Sequence, residues 1–369
     1  MIYLDSGATS FHKPPQVTRA VLDAMRSCAN PGRGGYGAAV RADSRIFACR
    51  EAAAELFDCE PQQVVLTTSC THGLNIAIKS LVKPGGKVVI SGFEHNAVTR
   101  PLHALGADIQ PAGRNLFDWE DTLSRFEDAL RRRPDAAVFT HVSNVFGYIL
   151  PVEALASLCR QYGVPFLLDA AQSAGSIPVS LEKLGASFIA MPGHKGLLGP
   201  QGTGLLLCAE EGKPLLQGGT GSGSIPQEMP EYLPDRLEAG TLNVPGYAGL
   251  TQGLRYLQRV GVETIGNREH ELARFCICGL KKLGMQVFAG PHQAATVSFL
   301  PAMDCEEAAA VLAGQGIAVR AGLHCAPFAH ESAGTLSTGT VRVSFGYDTT
   351  YTETEEFLRA ASKLPRFPS

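Results

Sequence analysis

This sequence predicts an α/β fold, a mostly parallel sheet wrapped by helices and followed by a smaller C-terminal α+β part. Three observations carry the prediction. Short apolar runs of strand length alternate with segments whose apolar residues recur at helical spacing. A stretch from Leu216 to Asn243, rich in Gly, Ser and Pro, interrupts the alternation and reads as a long functional loop. Beyond it, a long helical pattern leads into short strands and helices as far as Leu364.

Taken in order, Pro14-Pro15 opens an amphipathic segment with Val17, Val21, Leu22 and Met25 on one face, ending near Asn30-Pro31-Gly32. A Gly-rich loop follows, Arg33-Gly34-Gly35-Tyr36-Gly37, and a second helical pattern runs from about Val40 to Phe57. Val64–Thr67 reads as a buried strand, and further runs at Lys87–Ser91, Ala136–Val142, Val164–Asp169, Ser187–Met191 and Gly204–Cys208 complete the strand set. The clearest intervening helices are Trp119–Arg133 and Val152–Tyr162. The helical pattern after the loop covers roughly Ala248–Val260 and Glu263–Leu283. The division expected is a large domain over 14–247 and a small one made of 1–13 with 248–369.

Composition narrows the function classes. A chain of 369 residues with 45% hydrophobic and 18% charged side chains can bury a substantial core, and a net charge of -3 leaves no footprint for nucleic acid or an anionic membrane. The one dense basic run, Arg131-Arg132-Arg133, sits where cations suit a helix C-terminus. No basic leader followed by an apolar core appears, and no apolar run reaches a membrane span, so a cytoplasmic protein is expected. Ten scattered cysteines without a C-x-x-C pair give no disulfide framework and no metal site; Cys276 and Cys278 lie within a helical pattern as packing residues.

In a parallel sheet, ligands bind beyond the carboxyl ends of the strands, which singles out Ser69 to Asn75, His95, Asn144, Asp169 and Lys195. Lys195 stands in the Gly-bounded turn Gly193-His194-Lys195-Gly196; desolvated there it is an imine-forming lysine, and otherwise a solvated turn residue. Asp169 ends an apolar run, where a buried carboxylate needs a cation such as a protonated pyridine nitrogen, or else caps a helix. The turn Thr67–Gly73 offers hydroxyls and backbone N–H groups at a helix N-terminus to a phosphate. His95 could lie flat on an aromatic cofactor, and Asn144 and Gln172 could donate to a ring hydroxyl, against ordinary structural roles. Cys325, beside His324 in a Gly- and Pro-bounded loop, could carry thiolate character or be a small buried hydrophobe. Arg342 could clamp a carboxylate or form a surface ion pair. Gly199-x-x-Gly202-x-Gly204 does not open a helix after a strand and carries no dinucleotide reading.

Together these segments resemble the class V aminotransferase family of fold-type I pyridoxal phosphate enzymes, in its cysteine desulfurase and selenocysteine lyase branch. The resemblance runs through Tyr3–Thr9, Thr71–Asn75, Glu94-His95-Asn96, Ser143–Gly147, Asp169–Gln172, Gly193-His194-Lys195, Arg236–Thr241 and the segments of Cys325 and Arg342. It implies a seven-stranded sheet and pyridoxal 5'-phosphate as cofactor. Lys195 would carry the cofactor, Asp169 pair with the pyridine nitrogen, His95 stack on the ring and act in catalysis, and Gln172 bond the phenolic oxygen. Cys70, Thr71 and His194 would bind the phosphate, and Thr241 that of the neighbouring subunit in a homodimer. Asn144, Arg342 and His324 would bind the substrate, L-cysteine or L-selenocysteine. Cys325 would take its sulfur or selenium, leaving alanine and a persulfide for an acceptor or scaffold protein, as in iron–sulfur cluster assembly. Two positions depart from the branch: Leu323 stands where a second His is usual, and Pro192 where a hydroxyl is frequent, so one phosphate contact is expected to be missing. Competing readings are an aminotransferase or lyase of another small amino acid with Cys325 as bystander, and a non-catalytic scaffold.

Overall fold

The computed structural model describes residues 1–32, 34–222 and 224–365; Arg33 of the Gly-rich loop and Gly223 of the long loop lie outside them. Its strands are β1 (Ile2–Tyr3), β2 (Val64–Thr67), β3 (Lys87–Ser91), β4 (Asp108–Ala112), β5 (Ala136–Thr140), β6 (Phe166–Asp169), β7 (Phe188–Pro192), β8 (Gly204–Cys208), β9 (Gln286–Phe288), β10 (Thr296–Leu300), β11 (Ile317–Ala318), β12 (Arg320–Gly322) and β13 (Thr340–Ser344).

The large sheet has seven strands in the order β2-β8-β7-β6-β5-β3-β4. All run parallel except β8, which is antiparallel to both β2 and β7. Strands β5 to β8 are buried on both faces, which is why each reads in the sequence as an unbroken apolar run. The strand that periodicity misses is β4, an edge strand that is largely half-exposed and contains Pro111, whose lack of an N–H suits only an edge.

Because six strands point the same way, the turns after β2, β3, β5, β6 and β7 gather at one edge, and they carry the candidate site residues. Helix Cys70–Leu81 begins directly after β2, with Ser69 as N-cap accepting from the His72 N–H at 3.2 Å. Helix Val152–Tyr162 stops at Gly163, whose φ of 64° is the left-handed C-cap. Helix Val244–Val260 buries Leu250, Leu254 and Leu257 in the same core cluster as Ala42, Ile46 and Cys49 of helix Gly37–Phe57.

A second, antiparallel sheet, β12-β13-β10-β9, packs with helices Val262–Lys282 and Tyr351–Ala361 around Leu272, Val297, Phe299, Val341 and Phe357. The N-terminal segment joins this part, with Leu4 in its core and β1 paired to β11. Helix Pro15–Ser27 forms as its pattern predicts but buries Val17 and Ala24, while Leu22 and Met25 are 49% and 67% exposed. Of the cysteine pair in helix Val262–Lys282, Cys276 packs in the core and Cys278 is exposed. No helix is long and apolar enough to cross a membrane, and no group of His, Cys, Asp and Glu among the described residues is arranged to hold a metal ion.

Candidate active site

Lys195 sits in the hairpin turn from β7 to β8. The two flanking glycines are required by close approach of the protein itself: a Cβ at Gly193 would collide with Thr203, and one at Gly196 with the Ala174 carbonyl. The turn is further held from the N-terminal segment. The His194 carbonyl accepts from the Ser10 N–H at 3.0 Å, from Thr9 Oγ1 at 3.1 Å and from Lys13 Nζ at 3.2 Å, and His194 Nδ1 lies 3.0 Å from Thr9 Oγ1. With the peptide fixed in this way, the Lys195 side chain enters a cleft of about 200 Å³. Its amine has no hydrogen bond or ion pair among the described residues. Burial pushes the Lys195 pKa down, against upward pulls from Cys70 and Asp169 and with a further downward push from Arg342, which favours the neutral amine that a nucleophilic lysine needs.

At the far side of the cleft, Asp169 is 3% exposed at the end of β6. Its Oδ1 accepts from the Ala171 N–H at 2.9 Å and from the Cys70 thiol at 3.5 Å; Oδ2 has no partner among the described residues. Burial drives its pKa up, more than the Ala171 bond and Lys195 lower it. Such a carboxyl is incomplete until a cationic donor meets Oδ2. The Cys70 thiol is thus turned to Asp169 and away from any phosphate, with burial holding it neutral. What Cys70 offers an anion is its backbone N–H, which with that of Thr71 stands free at the helix N-terminus. Thr71 and His194 line the same cleft, as does Pro192, which offers no donor.

His95 caps helix Asn96–Ala104: its Nδ1 accepts from the Ala97 N–H at 3.0 Å, so the ring proton is on Nε2. Burial, with Lys195, Arg342 and Arg100, brings its pKa down to about 4. The ring is neutral, as a face against an electron-poor aromatic should be. Gln172 donates one amide N–H to the Gly7 carbonyl at 2.9 Å, leaving the other for a ligand. Thr241 is exposed and absent from this cleft.

A polar cluster closes the mouth. Arg342 is 2% exposed, and so not a surface ion pair. Its Nη2 donates to Asp5 Oδ1 at 2.8 Å and its Nη1 to the Asn144 carbonyl at 3.0 Å. Asn144 Nδ2 donates to the His324 carbonyl at 2.8 Å. Three buried atoms here, Arg342 Nε, Asn144 Oδ1 and His324 Nδ1, have no partner among the described residues. Unsatisfied donors and acceptors grouped in this way mark a place for a polar ligand. His324 and the exposed Cys325 both take left-handed backbone, with φ of 49° and 56°. The Cys325 carbonyl accepts from the Asn96 N–H at 2.7 Å, so the thiol is carried beside the turn that presents His95. Two consecutive non-glycine residues in this region store strain that the surrounding bonds must hold.

The structure adds residues that spacing did not single out. Asp5 bridges Arg342 and Arg320, accepting from Arg320 Nη2 at 2.7 Å, and Thr9, Ser10 and Lys13 fix the lysine turn. Buried Arg50 and Glu238 form a bidentate pair at 2.7 and 2.6 Å, and Glu238 also accepts from the Leu66 N–H next to the phosphate-type turn. The cleft therefore offers a buried lysine whose pKa is pushed down, a buried carboxyl awaiting a cation, a flat neutral imidazole and free N–H groups for an anion. That donor set fits a phosphorylated pyridine aldehyde.

Comparison with known proteins agrees. The family model described as aminotransferase class-V matches residues 2–357. A probable cysteine desulfurase of Methanothermobacter thermautotrophicus is 32% identical over 96% of this chain and 92% of its own length; one of Pyrococcus abyssi is 31% identical over 99% and 94%. The apo structure of the cysteine desulfurase of Thermococcus onnurineus NA1 superposes with a TM-score of 0.90 at 31% identity, covering 98% of this chain and 94% of the other. The chain belongs to the class V aminotransferases, a family of pyridoxal phosphate-dependent enzymes.

Proposed function

We propose that this chain is a cysteine desulfurase, releasing L-alanine from L-cysteine and holding the sulfur as a persulfide on Cys325. The observation that carries the reading is exposed Cys325, on a strained loop whose carbonyls accept from Asn96, next to cleft-lining His95, and from cleft-lining Asn144, in the cleft that also holds Lys195 and Asp169. Lys195 would attach the cofactor, Asp169 Oδ2 would meet the pyridine nitrogen, His95 would cover the ring, Gln172 would reach the phenolic oxygen, and the N–H groups of Cys70 and Thr71, with His194, would hold the phosphate. When bound, the cofactor supplies an electron sink that acidifies the substrate Cα–H. Lys195, kept basic but neutral by burial, then takes the Cα proton and returns it at the end. The unpartnered Arg342 Nε and the second amide N–H of Asn144 would orient the substrate carboxylate, with His324, whose carbonyl accepts from Asn144, contributing to substrate binding. The Cys325 sulfur, giving up its proton, attacks the substrate sulfur; the S–C bond breaks, an S–S bond forms on the enzyme, and the S–C electron pair stays on the alanine skeleton, where a proton equivalent to the one given up completes the methyl group.

L-selenocysteine, which differs from L-cysteine only in its chalcogen, is the alternative substrate, and Leu323, 39% exposed two residues before Cys325, supports approach of an acceptor protein to this loop. The uncovered apolar side chains Leu22, Met25, Val40 and Phe47 support a homodimer, in which exposed Thr241 is available to the other subunit's phosphate site. The two-part division at 14–247 against 1–13 and 248–369 belongs to this reading, with helix Val244–Val260 as the element seated on the large part. Cys325→Ala tests the proposal. The purified variant should keep the visible cofactor absorbance of wild type and lose alanine release from cysteine by at least about 100-fold; unchanged release would leave Cys325 a bystander.

A further inference from the structure

A second, rear cavity of about 50 Å³ adjoins the cleft and shares Val142, Ala171, Gln172 and Lys195 with it. Lys195, Gln172, Ser10, Ser176, Ser344 and Glu269 contribute its polar wall. A space of that size with such a lining holds a few waters. Glu269 is only 9% exposed, yet forms no hydrogen bond or ion pair among the described residues, and a buried carboxyl left alone requires a reason.

Its position supplies one. Glu269, Ser176, Ala294 and Ala295 line the inner cavity and also an outer groove of about 370 Å³ reached from solvent. Among the described residues, Glu269 is therefore the one titratable group that lines both the solvent groove and the rear cavity. We propose that Glu269 is the proton reservoir of Lys195, passing protons between the outer groove and the lysine amine through water in the rear cavity. Once Lys195 has taken the Cα proton, its ammonium and the Glu269 carboxyl exchange protons through the cavity water, each giving one proton to water and accepting one from it, and the groove exchanges the Glu269 proton with solvent. The proposal rests on Lys195 acting as the acid–base group.

The charged and titratable neighbours favour such an exchange. Lys195 lies across the cavity and Tyr347 in its wall. Asp348, engaged by His12 at 2.7 Å, lies on the adjoining segment, and Glu263 and His270 of the same helix stand in the groove. Burial first and Asp348 second push the Glu269 pKa up to about 8, and burial lowers that of Lys195.

The test uses holoenzyme and L-alanine, which engages Lys195 without needing Cys325, and follows exchange of the alanine α-hydrogen with D2O across pH. Glu269→Gln should keep the visible cofactor band, slow exchange by about tenfold to a hundredfold, below what a directly positioned base contributes, and lose the limb near pH 8. Infrared titration of the same protein without substrate should lose one protonated-carboxyl component in E269Q, distinct from the one that E94Q loses. Ala295→Leu, which plugs the cavity and removes no titratable group, should slow exchange and keep the component that E269Q loses. Wild-type exchange in E269Q or A295L, or a uniform loss with an unaltered pH profile, overturns the proposal. A wild-type protein lacking the cofactor band instead overturns the functional reading beneath it.

Discussion

Replacing Glu94 by glutamine should flatten the pH dependence of stability. Glu94 is fully buried beside His95; its Oε1 accepts from Ser91 and from the Thr140 N–H at 2.8 Å, while Oε2 has no partner. Burial lifts its pKa from 4.5 to about 8, outweighing those hydrogen bonds. The folded-state value is the raised one, so the folded protein is at no disadvantage below the unfolded pKa. As pH climbs, the unfolded chain releases this proton while the folded protein retains it. Stability falls by about 1.4 kcal/mol per pH unit and levels off once the folded carboxyl also ionises. Between pH 5.5 and 8.5 the wild type should lose roughly 3 kcal/mol through this group. Glutamine has the shape of the protonated acid and never titrates. Urea unfolding of both proteins across this range measures the difference, in which other groups, Glu269 included, cancel. Parallel curves for E94Q and wild type would refute the assignment.

Lys195→Ala should yield a folded protein without the visible absorbance of the lysine-bound cofactor, read directly in a spectrum. Asp5→Ala strips Arg342 of its buried carboxylate and should raise the KM for cysteine about tenfold or more, with destabilisation of about 3 kcal/mol seen in urea unfolding; an unchanged KM would mean that Arg342 does not touch the substrate. Arg50→Ala leaves Glu238 buried and unpaired, at a cost of roughly 3–5 kcal/mol, whereas the double variant R50M/E238L should regain most of it, a contrast that thermal unfolding resolves.

The parallel sheet is legible in the sequence because doubly buried strands need continuous apolar runs, and Asp169 and Lys195 stand out as polar groups directly after such runs. Edge strand β4, with Pro111 and little burial, gives no comparable pattern. The stripe of Leu22 and Met25 is visible as amphipathic, but periodicity says nothing of what covers it. Cys70 is recognisable as a phosphate-turn residue, while the direction of its thiol depends on Asp169, 99 positions later. The role of Asp5 is beyond local reading, since Arg320 and Arg342 lie 315 and 337 positions away.

That last separation has a consequence for how the protein is made. Ile2 and Leu4 bond to the carbonyls of Gly316 and Ala318, Gly7 to Ser344, and Asp5 to Arg342, while Thr9, Ser10 and Lys13 hold the peptide before Lys195. At ribosomal speeds of ~5–20 residues per second, the first ten residues wait roughly 20–70 seconds for residue 344 to be added. The large sheet has its whole sequence long before then. The lysine turn can be in place while its strap still lacks an anchor, so the catalytic centre is completed only after residue 344 has been made.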